Sequence, residues 1–314
     1  MLKRLGLLAT GSAVALALAS AAAAQAPTPP LDAASEVEAV VVTARRIGVP
    51  VWRIDRGGST LILIADADVP RGGTWRPEAL EASIAGARSM FLPQLVRRRG
   101  AGEARGSDPF QREGTPRDLV PLEPELATRL DRVATALRIR NHRTMNLRVL
   151  GFRLLQGAVG RDRRKEDGLT IAVRAARKHR VRRAPFRGFE GLTVPETVEA
   201  ARKREVRCIR SAVDLAEHAA ADQRLRLAAW RAVDVPALAG SRLEAVSRDC
   251  SRLAGARYRL TQPVIEGALR DTLNQPGVTV AVLPLWTLVD QGLTLDRLSE
   301  DLPVQGPRWR AGQP

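Results

Sequence analysis

Two short apolar runs, 51–54 (VWRI) and 59–65 (STLILIA), stand on either side of Gly57-Gly58. Such runs around a Gly-Gly pair predict a β-hairpin, because glycines supply the backbone freedom a tight turn needs. A hairpin alone is marginal in water and must be extended and covered. The next strand candidates are distant. SMFLPQL follows one helical segment, and VTVAVLP, residues 278–284, lies near the other end of the chain. The intervening sequence reads as helix. EPELATRLDRVATALR places Leu126, Leu130, Val133 and Leu137 on one face, and MNLRVLGFRLLQGAV continues the pattern. Residues 196–232, bounded by prolines, suit one long helix or two. GLTIAVRAARKHRVRRAPF reads as a helix running into a short strand at Val181, and GLTLDRLSEDL as a last helix. PVIEGALRDTLNQPG is a helix stopped at Pro276-Gly277. The expected class is therefore α/β, a single domain whose sheet is built from N- and C-terminal strands around a largely helical middle.

The N-terminus has a different character. Lys3 and Arg4 precede an apolar core, Leu7 to Leu18, and then small residues, the layout of a secretory signal. Residues 1–24 are assigned to that signal, with Gln25 as the mature terminus, and the Pro- and Ala-rich residues 25–36 to a disordered leader. The folded domain is expected over 37–310, opening with a strand or docking segment at VEAVVVTA. No later stretch is apolar for long enough to span a membrane. The expected location is the periplasm or the medium.

The chain carries a net charge of +16, and only four of its 50 basic residues are lysine, at 3, 165, 178 and 203. A GC-rich coding sequence pushes composition toward arginine, alanine and glycine, which accounts for part of this. The charge is also local, since 161–210 holds 16 Lys/Arg against 7 Asp/Glu. Within it Arg174, Arg177, Lys178, Arg180, Arg182 and Arg183 form the candidate anion-binding group. Arginine surfaces attract anions generally. The partner stays open, and an anionic envelope lipid or polysaccharide is the candidate ligand for this surface. Nucleic acid is not expected, because Phe186 and Phe189 are the only aromatics nearby and no nucleic-acid module is recognisable. The preferred reading of the run by itself is a solvated basic surface with no dedicated ligand.

Cys208 and Cys250, an even count in an exported chain, are candidates for a disulfide. The alternative, a reactive Cys208 activated by the arginines of REVRCIR, is weaker. LILIADADVP, residues 61–70, ends an apolar run in Asp66 and Asp68. Their i, i+2 spacing would point both carboxylates the same way on a continuing strand, but no further acid in the sequence stands out as a third ligand. A solvated loop is the preferred reading. His142, His179 and His218 form no metal-binding pair by spacing, and neither a G-x-S-x-G nor a Walker loop is present. No catalytic residue, metal ligand or cofactor is assigned.

The order of segments resembles the TraB/GumN family, which includes the Tiki-type proteases. The likeness rests on VVVTARRIGVPVWRIDRGGSTLILIADADVP, on DGLTIAVRAARKHRVRRAPF and LAAWRAVDVPAL, and on the long C-terminal stretch IEGALRDTLNQPGVTVAVLPLWTLVDQGLTLDRLSEDLPVQGPRW. It covers about residues 38–309. The resemblance implies a metal site built from a Gly-x-x-His pattern after the first strand, a glutamate near the next, and a second histidine after the C-terminal strand. This chain departs at each point: LILIADADVP has no histidine, SMFLPQL has Pro93 and Gln94, VAVLPLWTL has Pro284, Leu285 and Trp286, and GARYRLTQP lacks the family's asparagine. The resemblance therefore points to a catalytically degenerate envelope protein with a binding or accessory role. The alternative it leaves open is a divergent metal-dependent hydrolase or protease.

Overall fold

A computed structural model describes residues 49–73, 76–92, 117, 120–159, 168–185, 197–250 and 256–312. The signal and leader segments, residues 37–44, Pro93 and Gln94, the RDRRK run of 161–165, and Phe186 and Phe189 lie outside the described residues.

The hairpin forms as β1 (Val51–Arg56) and β2 (Ser59–Asp66), antiparallel from Val51 opposite Ile64 to Arg56 opposite Ser59. Gly57 and Gly58 have φ of 52° and 81°, the pair of left-handed conformations that matches a tight turn to the strand twist. Strand β5 (Gly277–Pro284) lies parallel to β2 over its whole length, from Ser59 beside Gly277 to Asp66 beside Pro284. Strands β3 (Ser89–Leu92) and β4 (Arg182–Pro185) continue the parallel part, and β6 (Val304–Gln305) pairs with β1. The six-stranded order is β4-β3-β5-β2-β1-β6. The class is α/β. The sheet takes strands from both ends of the chain, as the apolar runs suggested, and β4 from the middle. Leu61 to Ala65 and Val280 to Leu283 are all buried, so the central strands are covered on both faces and read as continuous apolar runs.

Helices α1 (Pro77–Ala85) and α4 (Gly168–Lys178) pack on each other beside this sheet. The closing segment is tied back through Trp52, which is 0% exposed and donates from Nε1 to the Pro307 carbonyl at 2.9 Å. Gly306, at φ 151°, makes that approach possible, because a Cβ there would meet Trp52 Cδ1 at 2.6 Å.

A second apolar core lies among α2 (Pro124–Ala136), α3 (Leu147–Val159), α5 (Val198–Glu217) and α8 (Arg242–Cys250). Cys208 of α5 and Cys250 of α8 are joined as a disulfide across 42 residues of sequence. On a chain-entropy view that closure is worth roughly 4 kcal/mol. Gly151 of α3 lies against it, since a Cβ there would meet Cys208 Sγ at 2.6 Å.

Several sequence expectations are resolved or corrected. The 196–232 stretch, open to one helix or two, forms two, α5 and α6 (Ala219–Ala232), divided at His218, whose backbone leaves the helical region at φ −114° and ψ 18°. Helix α9 (Ala256–Thr272) does not begin at the PVIEG proline but runs through Pro263, whose exposed ring is accommodated inside the helix. Three short helices were not foreseen, α7 (Val235–Ala239), α8 and α10 (Leu285–Val289). Helix α10 makes a fully buried helical turn of the residues that directly follow the 278–284 strand, to which the sequence reading gave no element. Pro284 lacks an N–H to extend the ladder, and its carbonyl accepts from Thr287 Oγ1 at 2.7 Å. The last helix, α11, is confined to Thr294–Ser299. Among the described residues no helix is long and apolar enough to cross a membrane.

Candidate functional site

Two polar regions stand out, one buried and one exposed. The buried one begins at the carboxyl end of β2, the end of parallel strands where α/β folds tend to place ligands. Asp66 closes the strand and is half-buried, Ala67 is buried, and Asp68 is exposed. Helix α6 brings Arg226, 4% exposed, whose Nη2 donates to the Asp68 carbonyl at 2.5 Å. Burial works against the Arg226 charge, and Asp68, Asp222 and Glu244 support it. Helix α8 brings Glu244, 5% exposed.

The Glu244 carboxyl makes no hydrogen bond or ion pair with a described residue. Its burial, reinforced by the negative charges of Asp68 and Asp66, pushes its pKa up to about 8, against the opposing pull of Arg226 and Arg248. It is thus a carboxylic acid held neutral at pH 7, at the joint between the sheet and the helical group. Two neighbours are better satisfied. Asp222, 3% exposed, accepts from the Arg242 backbone N–H at 2.7 Å and so caps the start of α8. Arg248 grips Asp290 with Nη2 on Oδ1 at 2.9 Å and Nε on Oδ2 at 2.7 Å, while burial raises the Asp290 pKa.

Asp68 stands exposed on an irregular segment, as the solvated-loop reading has it, whereas Asp66 ends β2 half-buried, and both act on an acid the sequence reading did not include. Glu244 is the acid that sequence reasoning missed. The only local signal was its place beside Leu243 in RLEAVSRDC, where Leu243, Val246 and Cys250 mark the buried side of a helix. Even so, no three His, Cys, Asp or Glu side chains among the described residues are grouped to hold a metal ion. The histidines are dispersed. His142 Nε2 lies 3.3 Å from Asp131 Oδ1, His218 Nδ1 sits on the Asp214 carbonyl at 2.9 Å, and His179 is exposed past the end of α4.

The exposed region is the end of α4 and the strand that follows. Residues 174–183 contain six Lys/Arg and no Asp/Glu. Arg174, Arg177 and Lys178 sit at i, i+3 and i+4 and share one helix face. Arg180 follows at φ 56°, in the left-handed position that usually ends a helix with glycine. The turn is closed by Val181 N–H on the Ala176 carbonyl at 2.8 Å. Arg182 and Arg183 belong to the edge strand β4, where the pleat sends neighbouring side chains to opposite faces. The structure therefore gathers Arg174, Arg177, Lys178 and Arg180 closely and divides the last two across the sheet edge.

All six are exposed. Lys178 pairs with Glu81 of α1 at 3.2 Å, a surface contact of little energetic weight. Arg177, Arg180, Arg182 and Arg183 enter no salt bridge with a described residue. Arg177 and Lys178 also suit the negative end of the α4 dipole, which explains two of the six without any ligand. No protein-family model, no curated protein and no solved structure matches this chain.

Proposed function

We propose that this is an exported, divergent TraB/GumN-like protein of the cell envelope, catalytically degenerate, whose role is to bind an anionic surface. The observation that carries this reading is the exposed, acid-free run of six cations on α4 and β4. A basic residue near an anionic bilayer contributes about 1 kcal/mol, so the group is strong enough to hold the protein to a phosphate-bearing membrane while each member is weak alone. The departures from the family's histidine and glutamate positions support the non-catalytic part.

The test is retention on vesicles. Protein lacking residues 1–24 should float with phosphatidylglycerol-containing vesicles and not with pure phosphatidylcholine, and raising salt should release it. Replacing all six cations by glutamine should abolish flotation while leaving the circular dichroism unchanged. Flotation that survives the six substitutions would reject the assignment of this face. Binding to an acidic polysaccharide but not to vesicles would move the partner from lipid to polymer.

One observation favours a second reading, a divergent hydrolase of the TraB/GumN type. Glu244 is a buried carboxylic acid with a raised pKa, near Asp66 and Asp68 at the strand ends, and perturbed acids of this kind cluster at working sites. On this reading Glu244 carries the proton. Stoichiometric divalent metal in the purified protein, lost in Asp66→Ala, would favour this reading over the first.

A further inference from the structure

We infer that a second, separate pocket, between the end of α2 and the exposed face of α3, binds one phosphate-headed amphiphile. The cleft encloses about 470 Å³ and is lined by Arg138, Arg140 and Arg153 together with Leu137, Ile139 and Met145. Gln156 and Gly157 complete the wall, and no acid lines it. The three arginines are exposed and enter no ion pair or hydrogen bond with a described residue through their side chains. Leu137, Ile139 and Met145 are half-buried, so the same cleft offers apolar wall beside uncompensated positive charge.

Two other clefts show what an arginine-lined surface looks like when it is already satisfied. In the cleft of about 730 Å³ at the C-terminal end of α5, Arg129 is held by Glu217 at 2.6 Å, and Arg132 lies 3.9 Å from the same carboxylate. In the cleft of about 880 Å³ by the C-terminal segment, Arg310 is paired with Asp296. The α2–α3 pocket has no such counterion among the described residues.

Its construction also has a conformational cost. Arg138 sits at φ 55°, in the turn closed by Ile139 N–H on the Ala134 carbonyl at 2.9 Å, a position where glycine is ordinarily favoured. Gly157 does the reverse. A Cβ there would meet Leu137 Cδ1 at 2.8 Å, so glycine lets Leu137 lie against α3. A guanidinium suits phosphate oxygens better than an ammonium does, because its planar fork bonds two oxygens at once. Three such groups over an aliphatic wall fit a phosphoryl headgroup followed by the first carbons of an acyl chain.

The experiment is calorimetric titration of the protein with three probes: inorganic phosphate, glycerol 3-phosphate and dihexanoyl phosphatidic acid below its micelle concentration. One dihexanoyl phosphatidic acid should bind per chain, more tightly than either small phosphate. Arg153→Gln and Arg138→Gly should each weaken it by about tenfold, the worth of one charge-assisted hydrogen bond. Arg138→Gly relaxes the turn, so its loss of binding cannot be blamed on misfolding. Equal affinity for all three probes would overturn the amphiphile, and unchanged affinity in both variants would overturn the site. The protein with the six α4–β4 cations replaced should still bind the probe, which separates this inference from the envelope-binding proposal.

Discussion

The buried joint and the basic face use the same chemistry, arginines and carboxylates, to opposite ends. At the joint, Arg226 and Glu244 are almost wholly removed from water. Charges there are costly unless compensated, and their ionisation is coupled to folding. On the face, Arg177 to Arg183 remain hydrated, so each contributes little to stability and is available to an external anion. The joint should therefore answer to pH and the face to salt. This difference separates a structural polar site from a binding one better than residue type does.

Glu244→Gln sharpens the contrast most. The folded state holds the Glu244 proton up to about pH 8, whereas the unfolded chain releases it near the ordinary carboxylate value of 4.5. Between those limits the folded state binds more protons, so stability falls as pH rises through this window. At 1.36 kcal/mol per unit the whole window is worth about 5 kcal/mol. Glutamine has no proton to lose. The variant should match the wild type near pH 4 and exceed it by roughly that amount at pH 8, measured by urea unfolding. Asp290, raised in the same direction, contributes equally to both proteins and cancels. Parallel curves for the two proteins would show that Glu244 ionises freely and would remove the joint from the comparison.

Arg226→Met attacks the same joint from its positive side. It removes the donor to the Asp68 carbonyl and a cation that offsets Glu244. Breaking a buried charge arrangement by deleting one member costs about 3 kcal/mol, and the Glu244 window should move to still higher pH. Equilibrium unfolding at pH 6, followed by the pH series, reads both effects. A loss below about 0.5 kcal/mol, the usual size for a surface substitution, would place Arg226 with the face and not with the joint.

The sequence made some of this legible and hid the rest for identifiable reasons. The hairpin was readable because Gly57-Gly58 and the runs around it are neighbours in the chain. Strand β5 was readable because a strand buried on both faces must be apolar throughout. Helix α10 was not, since five residues are too few to show a helical period and Leu285 to Val289 are buried on every side. The true start of α9 was hidden by Pro263, a strong start signal that here lies inside a helix. The joint was hidden because Asp68 and Glu244 feel each other's charge only once the helical group has folded beside the sheet. No local pattern records an interaction between residues so far apart. The six cations were legible as a charge run and the short strand from Val181 was read in outline, but its place at the sheet edge, which divides Arg182 from Arg183, depended on the order of the strands.

The smallest effect decides most directly whether the face is functional or a by-product of composition. Arg180 occupies a left-handed turn position at φ 56°. Glycine there avoids the clash between Cβ and the following carbonyl, offset in part by its greater freedom in the unfolded chain. Arg180→Gly should therefore stabilise the protein by about 0.5–1 kcal/mol. The same change removes one exposed cation and should weaken vesicle binding by about 1 kcal/mol, near fivefold. The two signs oppose each other, which a mere change in folding cannot produce. If arginine stands at 180 only because coding bias favours it, the substitution will relax the turn and leave retention untouched. If the face binds an anionic surface, stability and affinity will part in opposite directions, and the strained arginine will be explained by the ligand it meets.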